Sequence, residues 1–252
     1  YKAGSFPVSS FMVPLFDSFE TSTVYLFERV FWWLHIIGIF FFLNYLYYSK
    51  HLHILLAFPN TYYANLESKG KFGILESVKN EVLLMFYPEK ASQSNGNVDK
   101  FGASDVLDLN WVQLMNAYSC TECGRCTSEC PANLTGKKLS PRKIMMDTRD
   151  RLEKVSKNIS VNKGKFVDDG DRLLDNYITK EELWACTSCN ACVEACPINI
   201  DPLSIIMDMR QYLIMEESSA HPDLNNMMNN IENNGAPWPY NQQDRELWIQ
   251  ES

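Results

Sequence analysis

Eight cysteines fall in two stretches, "CTECGRCTSECP" at 120–131 and "CTSCNACVEACP" at 186–197, and these hold every cysteine of the 252-residue chain. Each stretch has the spacing CxxCxxCxxxCP. Thiolates set this closely are iron–sulfur ligands, with the fourth cysteine of each run carried away to the other cluster. Two runs therefore imply two [4Fe-4S] clusters. Cys120, Cys123, Cys126 and Cys196 would hold one, and Cys186, Cys189, Cys192 and Cys130 the other. A disulfide framework suits short secreted chains, and a three-residue loop between bridged cysteines is strained. Zinc usually takes two separated CxxC pairs, with no use for a third step or a trailing Cys-Pro.

The elements that must position these thiols read as helices. Asp108 to Asn116 opens a helix directly before Cys120, and "GDRLLDNYITKEELWAC" leads into the second run. Ser140-Pro141 and Asp201-Pro202 start a helix after each run, with proline at the first helical position where its missing N–H costs nothing. Neither half contains a convincing alternating strand. The pattern is a repeated unit, cysteine run then proline-started helix, and the expected fold is all-α: a transmembrane helix region followed by an α-helical ferredoxin domain with two [4Fe-4S] clusters.

The membrane expectation rests on Val30 to Tyr48, 19 residues without formal charge. At about 1.5 Å per residue this run nearly crosses a hydrocarbon core of roughly 30 Å. Trp32 and Trp33 lie at one end and Tyr45, Tyr47 and Tyr48 at the other, where amphipathic rings favour the interface. The alternative, a buried helix of a large soluble protein, is disfavoured by the lack of small-residue punctuation. "SKHLHILLAF" is expected to continue the helix to Pro59, giving one span over about 24–58. Lys50, Lys69, Lys71 and Lys79 follow the span and only Lys2 and Arg29 precede it. Positive charge stays inside, so the acidic start with Asp17 and Glu20 faces out. The cysteines then face the reducing cytoplasm, beneath the inner membrane.

Four regions follow: a membrane region at 1–66, an amphipathic helix and linker at 67–104, the cluster domain at 105–217 and a docking tail at 218–252. Ile74 to Pro88 reads as an amphipathic helix, packed as core or lying at the membrane surface. "EKASQSNGNVDKFGASD" is the polar linker. The chain does not begin with Met and lacks signal-peptide order, so a piece of a longer protein is expected. A net charge of -8 argues against nucleic acid as partner. No acid–base pair, nucleophile triad or phosphate-binding glycine loop stands out. Arg125, Lys137, Lys138, Arg142 and Lys143 are either a solvated surface or a patch for an acidic partner.

From this point the residues resemble a known family. "CTECGRCTSECPANLTGKKLSPRKI" and "WACTSCNACVEACPINIDPLSIIMDMR" look like the two-cluster α-helical ferredoxin module of heterodisulfide reductase iron–sulfur subunits and their relatives among membrane-bound glycerol-3-phosphate, lactate and fumarate oxidoreductases. The likeness runs from about Asp105 to Trp248 and includes "NNGAPWPYNQQDRELW". "LHIIGIFFFLNYLYYSKHLHILLAFP" is similar to the last helices of the membrane haem b subunit of respiratory nitrate reductase, which has about five spans where one is present here. The resemblance implies a quinone-linked electron-transfer subunit. The family's catalytic CCG motifs do not occur in this chain, so the implied catalyst is a cytoplasmic CCG-domain or other redox subunit, or an unseen extension.

His35 and His53 lie eighteen positions apart. On one unbroken helix they share a face about 27 Å apart. Ionisable groups within a span are costly and usually functional, and two such levels suit two b-type haems. His51, rotated by about 160°, is the weaker ligand candidate and is placed near a quinone instead. In the alternative, His35 bonds a neighbouring helix while His51 and His53 are interfacial. Bis-histidine ligation needs two further histidines, and His221 lies too far along the chain. The missing ligands are therefore expected on an unseen helix.

The function expected is electron transfer between a quinone or haem b site in the membrane and a cytoplasmic partner. Trp238 and Tyr240 are candidate docking residues, unless the tail wraps its own domain. Two other readings stand: a redox-sensing or assembly protein, and the iron–sulfur subunit of a succinate dehydrogenase or fumarate reductase type complex. The latter would carry further cysteines in an N-terminal ferredoxin fold.

Overall fold

The computed structural model describes residues 6–15, 18–68, 71–73, 76–87, 89, 100–241, 244 and 246–250. Lys2, Asp17, Lys69, Ile74, Leu75, Pro88, Arg245 and most of the expected linker (90–99) lie outside them. The chain divides into two units, 1–52 and 53–252. The described residues form helices and turns with no strand, the nearest feature being an isolated bridge between Leu174 and Ile178.

The first unit is dominated by α1, Thr21–Leu46, which follows two 3₁₀ turns at Ser9–Phe11 and Val13–Leu15. No residue of α1 is buried, and it is long and apolar enough to cross a membrane. Apolar side chains cover it on all sides, the pattern of a helix surrounded by lipid or by a large core. The expected continuation to Pro59 does not occur. Ser49 explains the break: its hydroxyl donates to Leu46 O (3.0 Å) and accepts from the His51 amide (3.3 Å). A serine satisfying backbone groups in this way competes with the helical ladder. A new helix, α2, runs Leu52–Tyr62 and keeps Pro59 inside it. Eighteen residues of unbroken helix, on which the shared face of His35 and His53 depended, are therefore not present.

In the second unit α3, Glu76–Phe86, leaves Val82, Leu84, Met85 and Phe86 exposed, so the expected apolar face is not buried as core. The cluster domain then builds α4 (Trp111–Ser119), α5 (Arg125–Ser128), α6 (Pro131–Leu134), α7 (Pro141–Val161), a kinked turn α8 (Leu173–Asn176), α9 (Lys180–Ala185), α10 (Ala191–Glu194) and α11 (Pro202–Met215). Caps set the starts. Asn110 with Gln113 and Thr179 with Glu182 form reciprocal capping boxes on α4 and α9. Ser140 and Asp201 cap the two proline-started helices as the sequence indicates. Ile144, Met145, Thr148, Arg151 and Val155 line one face of α7, and Leu203, Ile206, Met209 and Leu213 one face of α11. These faces pack together and against α4 and α9, at roughly 1.5–3 kcal/mol for each fully buried aliphatic chain.

Two long-range contacts tie flanking segments to this core. Gly102, at φ +78°, lets the chain lie on α11; a Cβ there would come within 2.3 Å of Asp208 O. Ala103 N then donates to that carbonyl at 3.0 Å. Arg151, with 0% of its side chain exposed, joins Asp105 and Asp169 (both 2.6 Å) and donates to Asp171 O (2.6 Å). The tail continues as α12, Pro222–Asn234, ended by Gly235 in the left-handed conformation, and as α13, Leu247–Gln250. Asn230 donates to Pro237 O at 3.1 Å, while Trp238 and Tyr240 stay exposed.

Candidate metal centre

The two cysteine runs adopt the same local conformation. Glu122 and Ser188, each two residues past the first cysteine, have φ +60° and +55°; Gly124 and Asn190, each four residues past, have φ +83° and +59°. These left-handed residues turn backbone amides towards sulfur: Ser188 N donates to Cys186 Sγ at 3.4 Å, and the Glu122 amide does likewise for Cys120. An amide turned inward at each run favours an anionic centre there. The runs end in α5 and α10, which pack on each other. That contact brings the ends of the two runs together.

The thiols gather accordingly. A cavity of about 240 Å³ is lined by Cys120, Cys123, Cys126, Cys192 and Cys196, with Arg125 and Arg142 among its walls. Cys126 feels the charges of Cys120, Cys196 and Cys123, while Cys186 feels those of Cys130 and Cys189. Thus Cys196 lies among the thiols of the first run, and Cys130 is close to those of the second. Burial pushes the thiols of Cys120, Cys126 and Cys186 up, and that of Cys192 to about 12, so taking up metal there releases protons. Among the described residues no three His, Cys, Asp or Glu side chains converge on a point where one ion would sit. A cavity lined by thiols of both runs has room for a multi-iron cluster, in which each iron takes one thiolate.

An arginine backs the first cysteine of each run, and the sequence reading missed both. Arg149 pairs with Glu122 at 2.5 Å and its charge reaches Cys120. Arg210 donates to Leu183 O (3.0 and 2.6 Å), Cys186 O (2.5 Å) and Ser188 Oγ (3.2 Å), and lies 5.1 Å over the Trp184 ring. The signal was legible: "SPRKIMMDTR" and "DPLSIIMDMR" share P-x-x-I-x-M-D-x-R, with arginine at the same offset from each helix-starting proline.

The histidines are dispersed. His35 is exposed on α1; His51 sits in the turn beside Ser49 Oγ (3.3 Å) and edge-on to Phe42. His53, half-buried on α2, lines the cavity of Cys120 and Cys196. Buried Asn60 holds that helix there by donating to Ile198 O at 2.8 Å. Of the basic residues, Lys138 pairs with Glu181 (2.8 Å) and Lys143 with Asp147 (2.8 Å) and Glu182 (2.9 Å), so these two serve the domain itself.

Residues 119–200 match the family model of the 4Fe-4S dicluster domain. The chain is 31% identical over 249 residues to the probable iron-sulfur-binding oxidoreductase FadF of Bacillus subtilis, covering 88% of this chain and 33% of the relative. It is 25% identical to the EtfAB:quinone oxidoreductase of Syntrophomonas wolfei, over 100% of this chain and 35% of that protein. A third relative, 29% identical over 115 residues, belongs to the ferredoxin/F(420)H(2)-dependent CoB-CoM heterodisulfide reductase of Methanosarcina acetivorans; the match covers 45% of this chain and 56% of that one. The chain spans about a third of the length of the first two. The chain is thus related to iron–sulfur electron-transfer oxidoreductases and carries a 4Fe-4S dicluster domain.

Proposed function

We propose that this chain is the electron-transfer part of a membrane-bound oxidoreductase, passing electrons between a quinone or haem b site in the membrane and a cytoplasmic redox partner such as a CCG-type module. Cys120, Cys123, Cys126 and Cys196 hold one [4Fe-4S] cluster; Cys186, Cys189, Cys192 and Cys130 hold the second. When bound, such clusters supply one-electron transfer with little ligand movement. The protein's share is to exclude water around the buried thiols, aim the Glu122 and Ser188 amides at sulfur and set the local charge. The observation that carries this reading is that Cys196 lines the cavity of Cys120, Cys123 and Cys126.

The apolar helix α1 supports a membrane setting, and the reading that the cluster domain lies on the cytoplasmic side of the inner membrane rests on the lysines that follow the span. His35 and His53 remain the candidate haem b ligands, completed by histidines of an unseen helix, and His51 the group nearest a quinone. Their shared helix face no longer supports this assignment, which rests on the resemblance alone.

The test is anaerobic purification followed by iron and sulfide analysis, visible spectra and low-temperature paramagnetic resonance. About eight irons and two interacting signals are expected. Cys130→Ala should cost the cluster held by the distant run and spare the one held by its own. A protein in which Cys130→Ala damages only the cluster of Cys120, Cys123 and Cys126 has no exchange of ligands. Absence of b-type absorbance in the full complex, or a haem spectrum indifferent to both His35→Ala and His53→Ala, removes the haem assignment.

A further inference from the structure

The two cluster sites are alike in backbone and unlike in charge. Arg149, behind Cys120, is met by Glu122 at 2.5 Å, with Asp150 at 4.0 Å. Its positive charge is offset locally. Arg210, behind Cys186, occupies the matching place in the repeat, yet it pairs with no carboxylate among the described residues. Its acceptors are two main-chain carbonyls and a hydroxyl, with the Trp184 face beneath it. Carbonyls and an aromatic face solvate a cation without cancelling its charge. Ser188, which Arg210 holds through its hydroxyl, is also the residue whose amide donates to Cys186 Sγ.

We propose that Arg210 is a potential-setting residue, which raises the reduction potential of the cluster on Cys186, Cys189, Cys192 and Cys130. The inference rests on the two-cluster reading above. Reduction adds one electron to a cluster and makes the centre more negative. A nearby uncancelled cation stabilises that reduced form and raises the potential; a cation already paired with a carboxylate does so much less. At the first site Arg149 is paired with Glu122, and it is Arg125 and Arg142 that line the cavity.

The experiment is a dithionite redox titration of the purified, cluster-loaded protein in detergent, each cluster followed by paramagnetic resonance. In the unaltered protein two separate one-electron potentials are expected. Arg210→Gln should lower that of the cluster on Cys186, Cys189, Cys192 and Cys130 by at least tenfold in the reduction equilibrium, about 59 mV for one electron, and leave the other in place. Arg210→Lys, which keeps the charge, should recover most of the shift. Glu122→Gln should raise the potential of the other cluster by freeing Arg149. The inference is overturned if Arg210→Gln moves neither potential, moves both equally or moves only that of the other cluster. If that variant does not load its clusters, Glu122→Gln decides alone, and an unmoved potential of the cluster on Cys120, Cys123, Cys126 and Cys196 overturns it. A protein loading a single cluster would instead refute the two-cluster reading itself.

Discussion

Replacing Arg151 with methionine, which keeps most of its length and removes its charge, tests how the cluster domain is closed. The guanidinium is fully enclosed and has six N···O contacts of hydrogen-bond length, shared among its five N–H groups, to Asp105 (2.9, 3.2 and 2.6 Å), Asp169 (2.6 and 3.0 Å) and Asp171 O (2.6 Å). Removing one partner of a buried ion pair costs about 3–5 kcal/mol, because the remaining charge is left uncompensated. Here the low end applies: the aspartates keep 15% and 16% of their side chains in water, and Asp105 retains the Val106 and Leu173 amides at 2.8 and 3.1 Å. A loss of about 3 kcal/mol is expected, which for a domain of this size lowers Tm by about 6–12 °C. Thermal unfolding followed by circular dichroism measures it. Arg151→Met with Asp169→Asn should recover part of the loss, since it withdraws one orphaned charge. The pH dependence has a definite sign. Arg151 holds the Asp169 carboxyl below its ordinary value of 3.8, so its contribution is present above that pH and disappears as pH falls through the folded value. Arg151→Met should flatten this acid limb. A loss under about 1 kcal/mol, or a double variant no more stable than the single, would refute the reasoning.

Gly102→Ala should destabilise the domain by about 1–3 kcal/mol, because it combines a positive φ with a Cβ at 2.3 Å from Asp208 O; an unchanged melting curve would mean that the 100–104 segment does not lie on α11. Asn60→Ala removes the bond to Ile198 O but also an Oδ1 that is buried without a partner, so the net cost should be only about 1 kcal/mol. Its clearer sign is faster proteolysis of 53–66 in the variant. Equal cleavage in both proteins would show that Asn60 does not hold α2.

What was legible in the sequence was local. Cysteine spacing, proline-started helices and capping residues lie within a few positions of what they determine, and the structure has them where the chain indicated. That Cys196 lines a cavity with Cys120 was reachable only through the chemistry of the motif, since nothing near Cys196 names Cys120 as its neighbour. Two kinds of information were missed. Arg151 finds Asp105 46 residues earlier and Asp169 18 later, and many charged residues of this chain would have served equally well on paper. The helix break failed for the opposite reason: Tyr45 to Phe58 is apolar enough to look continuous, and the interruption turns on the single hydroxyl of Ser49.

The repeat also explains why a polar residue such as Arg210 can be held inside the domain at all. Burial lowers its pKa, and the charge of Cys186 acts in the other direction. A guanidinium that loses water and finds only carbonyls, a hydroxyl and a ring is costly until negative charge sits beside it. Thiolates carrying a cluster supply that charge. The cost of enclosing Arg210 is therefore offset when the second run is loaded, and the loop from Cys186 to Cys189, which the same side chain grips at Cys186 O and Ser188 Oγ, is firmest in the loaded protein. At the first run Glu122 already offsets Arg149, so loading there settles a pair that is satisfied beforehand. With no carboxylate beside Arg210 among the described residues, the local folding of the second run would thus depend on its metal.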